Sequence, residues 1–134
     1  SGLPSWVKEG CANTLRNVTV PMRRLEKFMQ RIPAHLEIGW LKTDCQGYDL
    51  EVIASVGTQM HRVKKLQYEV QDVADGSFRN LYNLVPSFNT VKQFVTLQGF
   101  REPTCTTNSP VQDVLHEFDC VTCRNRPPEN CYRK

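Results

Sequence analysis

Two carboxylates stand where they could do chemistry. Asp44 follows the mostly apolar run "LEIGWLKT" at residues 36–43, a glycine turn comes next, and an amphipathic segment starts at once. Glu69 holds a comparable place in the next predicted strand. At the carboxyl end of a parallel strand, a carboxylate can bind a hydroxyl, hold a cation or act as a general base. The alternative role for Asp44 is to cap the following turn and helix with its side chain.

The cysteines could serve as metal ligands or form disulfides. A zinc site needs four ligands, usually in paired knuckles. Cys120 and Cys123 are three residues apart in a predicted strand, and this odd offset places them on opposite faces, which is poor geometry for a shared ion. We therefore expect no metal. The candidates for disulfide bonds are four residues near the C-terminus, with free buried thiols as the other interpretation: Cys105, Cys120, Cys123 and Cys131.

The elements that must position these residues alternate along the chain. Apolar spacing predicts a helix from Pro21 to Pro33 and another that starts at Asp49. The run 36–43 is typical of a strand covered on both faces in a parallel sheet, and 65–73 alternates as a strand. A helix capped by Ser87 should end at Gly99, and Phe100 together with 116–123 supplies two closing strands. This order predicts an α/β sheet with flanking helices.

The segment "LKTDCQGYDLEVI" resembles the signature of FkbM-type methyltransferases, a strand ending lysine–x–aspartate–x–glutamate–glycine before an acidic, aliphatic helix. The resemblance implies a class I, S-adenosylmethionine-dependent, Rossmann-like fold and methyl transfer to a hydroxyl, often of a sugar. Lys42, Asp44 and Gly47 keep the motif, and Glu69 keeps the strand carboxylate; these two carboxylates are the candidate catalytic residues. Gln46 stands where the family usually has glutamate, and an amide cannot accept a proton at neutral pH.

The match spans roughly residues 18–124, between an irregular lead-in at 1–17 and a polar, basic tail at 125–134. All seven glycines are isolated, so no glycine-rich turn is available for a nucleotide. We therefore expect a partial class I methyltransferase sheet that lacks the N-terminal cofactor-binding half. No residue of this chain is assigned to cofactor binding, and no cofactor is expected for this chain alone. S-adenosylmethionine is expected only if the site is active.

Three functions fit these patterns. The favoured one is a non-catalytic, methyltransferase-derived accessory subunit, with other protein subunits covering its exposed sheet edge. The first alternative is the substrate-side part of an active O-methyltransferase, in which Asp44 and Glu69 orient the acceptor hydroxyl or take its proton. The second is a small secreted, disulfide-linked binding module, which fits the cysteines but leaves the motif unexplained.

Composition limits the partners. The 134 residues carry 17 basic and 14 acidic side chains, a net charge of +3 that is too weak to indicate nucleic acid. No window is apolar enough for a membrane span, although the protein could be peripheral to a membrane complex. The chain starts at Ser1, which favours processing and hence an organelle or a secretory compartment without choosing between them.

Overall fold

A computed structural model describes residues 18–71, 86–107, 117–124 and 131. The elements run in the order α1 (Leu25–Met29), β1 (Leu41–Lys42), α2 (Asp49–Ala54), a 3-10 helix (Gly57–Arg62), β2 (Lys65–Gln71), α3 (Phe88–Leu97), β3 (Thr104–Thr107) and β4 (Glu117–Cys123). The predictions for the lead-in at 1–17, for the end of the strand at 72–73 and for most of the tail lie outside the described residues. None of the helices within these ranges has the length and hydropathy needed to cross a membrane.

The four strands form one mixed sheet in the order β1-β2-β4-β3. β1 and β2 are parallel and are joined through α2 and the 3-10 helix. β4 runs antiparallel to both of its neighbours, β2 and β3. The predicted α/β class with a sheet and flanking helices is therefore confirmed at this level.

The core lies on one face of β2. Leu66, Tyr68 and Val70 alternate inward as predicted and are at most 3% exposed. They share a buried cluster with the inward residues of both longer helices, among them Ile53 and Val91. The opposite face of β2 carries polar side chains that are half-buried. Because a strand alternates its side chains between two faces, Glu69 belongs to this polar face.

The start of α2 and both ends of α3 are as the sequence predicts, whereas the helical spacing that continues to Met60 is wrong in type, because α2 ends at Ala54 and a 3-10 helix follows. The α2 helix begins at Asp49, and Ile53 and Val56 have no exposed surface. The hydroxyl of Ser87 accepts the backbone N–H of Thr90 at 3.2 Å, which caps α3. Gly99 follows the helix with φ +84°, a conformation that glycine adopts without a Cβ penalty.

The helix predicted from Pro21 to Pro33 is wrong in extent, because α1 covers only Leu25–Met29. Its first turn is fixed by Ser55, whose hydroxyl and carbonyl accept the backbone N–H groups of Leu25 and Glu26 at 3.0 Å each. These tertiary bonds set the start of the helix later than the apolar spacing does. Met22 consequently lies outside the helix and is 90% exposed.

Arg62 sets the other end of this region. Its side chain is buried, and its guanidinium donates to the carbonyl oxygens of Met29, Pro33 and Leu36 at 2.7 to 3.1 Å. A buried arginine is tolerated because backbone carbonyls satisfy its donors. One side chain thus replaces the helical bonds that the sequence pattern predicts beyond Met29.

The strand predicted at 36–43 is wrong in its burial. Only Leu41–Lys42 form strand pairs, with one isolated bridge between Ile38 and Val63. Within the described sheet β1 is an edge strand, and Trp40 is 55% exposed. The apolar run looked like a central strand because Trp40 is hydrophobic, yet this ring lies 4.8 Å from the ammonium of Lys65 on the surface.

Candidate functional site

The motif residues lie together at the carboxyl end of β1 and in the turn that follows it. Thr43 extends the parallel pairing by donating its N–H to the carbonyl of Gln67 at 2.9 Å. Asp44 follows directly and is exposed to solvent, at the strand end where the sequence predicts it. The chain then turns through Gln46 at φ +50° and Gly47 at φ +97°. Glycine adopts this conformation readily, whereas glutamine rarely does, so the turn holds Gln46 in an uncommon conformation.

The side chain of Gln46 joins the two predicted carboxylates. Its Nε2 donates to Asp44 Oδ1 at 3.2 Å and to Glu69 Oε2 at 3.1 Å. Asp44 and Glu69 come from different strands, yet one amide group reaches both. We call Asp44, Gln46 and Glu69 the carboxylate–amide cluster.

Lys42 adds one positive charge beside this cluster. Its ammonium lies 3.8 Å from Asp44 Oδ2, and both side chains are about half exposed. An exposed ion pair at this distance contributes little to stability, because water screens it. Lys42 therefore balances charge locally without fixing the position of Asp44.

Asp49 is a third carboxylate at the site and the one that is buried, with 3% of its surface exposed. Its Oδ2 accepts the backbone N–H of Cys45 at 3.1 Å, and its Oδ1 accepts that of Glu69 at 3.4 Å. Sequence reasoning took Asp49 only as the start of a helix. The alternative role considered for Asp44 is wrong, because Asp44 contacts the side chains of Gln46 and Lys42, while Asp49 holds the turn and no side-chain hydrogen bond caps α2.

Asp119 is the fourth carboxylate, and sequence reasoning missed it. In the antiparallel pairing of β2 and β4 it lies directly opposite Glu69. Residues directly opposite each other share one face of a sheet, so Asp119 lies on the same polar face as Glu69. The sequences "KLQYEVQ" and "EFDCVTC" alternate as strands, but they show that Asp119 lies opposite Glu69 only once the register of the two strands is known.

Two buried hydroxyls lie on the opposite, apolar face, one directly after β1 and one at the centre of β2. Thr43 Oγ1 and the Tyr68 hydroxyl are enclosed and make no hydrogen bond within the described part of the chain. Burial raises the pKa of the Tyr68 hydroxyl far above its ordinary value. Tyr68 therefore stays neutral and is a poor proton donor or acceptor at physiological pH.

The cleft beside the cluster is small. It measures about 10 Å³, and its lining includes Gly47, Leu50, Glu69, Pro86 and Val91. That volume is close to the minimum for one water molecule. Over the described ranges, no three His, Cys, Asp or Glu side chains are grouped closely enough to hold a metal ion.

The four candidate disulfide cysteines are all bonded. Cys105 joins Cys120 across β3 and β4, and Cys123 joins Cys131 beyond the end of β4. The two bonds use Cys120 and Cys123 on different faces, as their offset of three residues in a strand requires. Cys45, in the turn after Asp44, is half-buried and keeps a free thiol.

Comparison with known proteins gives one match. The family model described as the methyltransferase FkbM domain matches residues 3–102, which include both strand ends of the carboxylate–amide cluster. No curated protein and no solved structure matches this chain. The matched region covers well over half of the 134 residues. The chain therefore belongs to the FkbM methyltransferase family.

Proposed function

We propose that this chain is a methyltransferase-derived accessory subunit that docks into a larger protein assembly and does not transfer methyl groups by itself. In this proposal the four strands are the later part of a class I, Rossmann-like sheet. The parallel pair β1 and β2, joined through a helix, and the motif at their carboxyl ends support it. The half that binds the methyl donor is then supplied from outside the described residues.

The observation that carries the proposal is the amide of Gln46. Its family counterpart is a glutamate, which can carry charge and accept a proton. Gln46 can do neither, and its Nε2 donates to Asp44 and Glu69 together. An amide that donates to two carboxylates reduces their mutual repulsion without supplying a charge or a proton acceptor of its own.

The size of the neighbouring cleft supports the same conclusion. Small-molecule sites usually enclose roughly 300–1,000 Å³, whereas this cleft measures about 10 Å³. The cleft beside the cluster thus has room for a water molecule and no room for S-adenosylmethionine. A donor would need a further surface.

The partner of such a subunit would be another protein chain at β1. Trp40 and Leu36 are each about half exposed along this edge, at 55% and 46%. β1 is the outer strand of the described sheet and has a strand neighbour on one side only, so its other edge is open to pairing with a further strand. Burial of both side chains against a partner would remove this apolar surface from water.

A second function is favoured by the convergence of Asp44 and Glu69 on one amide. The chain would then be the acceptor side of an active O-methyltransferase. One carboxylate would accept the proton of the acceptor hydroxyl while the other orients it, and S-adenosylmethionine bound elsewhere would supply the methyl group.

Titration calorimetry with S-adenosylmethionine and with its demethylated product tests the accessory-subunit proposal. For the accessory subunit we expect no binding tighter than about 1 mM, which corresponds to about −4 kcal/mol. A micromolar dissociation constant for the wild-type chain would overturn the proposal, because the chain would then hold a methyl donor by itself.

Variants of two glutamines sharpen this test. Gln46→Glu restores the family carboxylate, and Gln67→Glu adds the same charge on β2 outside the cluster. If the chain is an accessory subunit, neither variant gains donor-dependent methyl transfer to a hydroxyl acceptor. Donor-dependent transfer by the wild-type chain would overturn the proposal and establish the enzymatic function. Transfer gained with Gln46→Glu and not with Gln67→Glu would show instead that this chain can hold the donor and that the amide of Gln46 inactivates the site.

A further inference from the structure

The parallel ladder between β1 and β2 stops one residue after β1 ends. Thr43 donates to the carbonyl of Gln67, and the next donor of the ladder on β2 is the N–H of Glu69. Its ladder acceptor would be the carbonyl of Thr43. The structure gives this N–H a different acceptor, Oδ1 of Asp49 at 3.4 Å. The carboxylate of Asp49 thus substitutes for a strand carbonyl where the strand has ended.

The other oxygen of the same carboxylate holds the turn. Oδ2 accepts the N–H of Cys45 at 3.1 Å, directly after Asp44. The turn is closed separately by the N–H of Tyr48, which donates to the Cys45 carbonyl at 3.2 Å. One buried side chain therefore binds the backbone beside Asp44 and the backbone of Glu69. The two strand ends cannot separate without breaking a bond to Asp49.

We infer that Asp49 is the positioning residue of the carboxylate–amide cluster: its carboxylate sets the spacing between Asp44 and Glu69 that allows Gln46 to bridge them. The bridge itself is made of side-chain hydrogen bonds at the surface, which water can replace at little cost. The bonds of Asp49 are enclosed, and a buried N–H left without an acceptor is costly. The buried carboxylate of Asp49 consequently sets the distance between the two backbone segments, and the exposed amide of Gln46 bridges the carboxylates at that distance.

This role does not depend on whether the chain binds a methyl donor. The experiments on Asp49 can therefore contradict this inference without contradicting the proposed function, and the calorimetry can do the reverse. The variant is Asp49→Asn in the full chain, which is nearly isosteric but replaces one acceptor oxygen with a donor. The matched control is Glu51→Gln, which removes one negative charge from the same first turn of α2 at an exposed position. Any effect of the helix dipole is common to both variants.

Amide hydrogen exchange is the first readout. In Asp49→Asn we expect exchange at Cys45 and Glu69 to accelerate about 10- to 100-fold, the effect of losing a hydrogen bond to a charged group. Exchange at Val121, on the far side of β2, should keep its wild-type rate. Equal acceleration at all three amides would mean that Asp49 acts only on global stability, and would overturn the inference.

The side-chain NH₂ resonances of Gln46 are the second readout. They should move toward values for solvent-exposed glutamine in Asp49→Asn and stay in place in Glu51→Gln. Unchanged resonances in Asp49→Asn would overturn the positioning role, because the bridge would then form without Asp49.

A measurement on the wild-type protein covers the case in which Asp49→Asn does not fold. Scalar coupling across the hydrogen bonds links the amide nitrogens of Cys45 and Glu69 to the side-chain carboxyl carbon of Asp49. Detection of the coupling to Cys45, across the shorter bond of 3.1 Å, supports the inference, and its absence overturns it.

Discussion

Removing the disulfide between β3 and β4 should destabilise this protein strongly. Cys105 and Cys120 are 15 residues apart in sequence, and Cys120 has no exposed surface. A cross-link stabilises mainly by restricting the unfolded chain, and for a loop of this length the entropy model gives about 3 kcal/mol at 25 °C. Small domains have total stabilities of roughly 5–15 kcal/mol, so the loss is a large fraction. We expect the double variant Cys105→Ala/Cys120→Ala to melt about 10 °C lower than the wild type.

Urea unfolding of the oxidised proteins, followed by circular dichroism, measures this effect. The transition midpoint should fall and the urea dependence should steepen, because the unfolded variant exposes more surface. The matched control is Cys45→Ala, which removes a free, half-buried thiol and should shift the midpoint little. The second disulfide closes a loop of 8 residues and should be worth about 2.5 kcal/mol by the same relation. A double variant that unfolds at the wild-type midpoint would refute the reasoning.

Three further changes test contacts away from the disulfides. Arg62→Lys should lose about 3 kcal/mol in urea unfolding, because an ammonium cannot reach the carbonyls that the planar guanidinium binds together. Gly57→Ala should cost about 1–2 kcal/mol, because φ is +56° and the new Cβ would lie 2.7 Å from Glu26 Oε1. Hydrogen bonds from Thr58 hold the pKa of Glu26 below its ordinary value. The stability they provide is present above the ordinary carboxyl pKa and is lost as pH falls through the lowered one.

Each of these changes has its own check. Gly39→Ala is the control for Gly57, since nothing lies within 4 Å of its would-be Cβ and its stability should stay near that of the wild type. For Glu26 the comparison is Thr58→Val, whose unfolding free energy should depend less on pH in the acidic range; an identical pH dependence would contradict the assignment. Wild-type stability in Arg62→Lys would mean that the carbonyl contacts contribute nothing.

The sequence predicted correctly those features that depend on residues close to one another in the chain. Asp44 lies at a strand end, β2 alternates between faces, and Ser87 caps α3, each because the deciding contacts involve residues close in sequence. The Lys–x–Asp–x–x–Gly pattern also predicted the turn that follows Asp44. These features follow from steric and hydrogen-bonding preferences that a single segment contains.

Tertiary contacts decided the rest. The start of α1 depends on Ser55 and its end region on Arg62, residues about 30 positions away. The burial of 36–43 depends on which strands neighbour it, and an apolar run cannot tell an edge strand from a central one. The bonds of Asp49 to two backbone segments require β1 and β2 to be already paired.

The place of β4 in the sheet has a consequence for biosynthesis. This strand comes last in sequence but sits between β2 and β3, so the ribosome makes both neighbours before it. Until Cys123 has left the exit tunnel, β2 has an unfilled side, and nascent chains with open strand edges are prone to wrong pairing. The described sheet therefore cannot close until β4 has emerged, and β2 keeps an open edge during that interval.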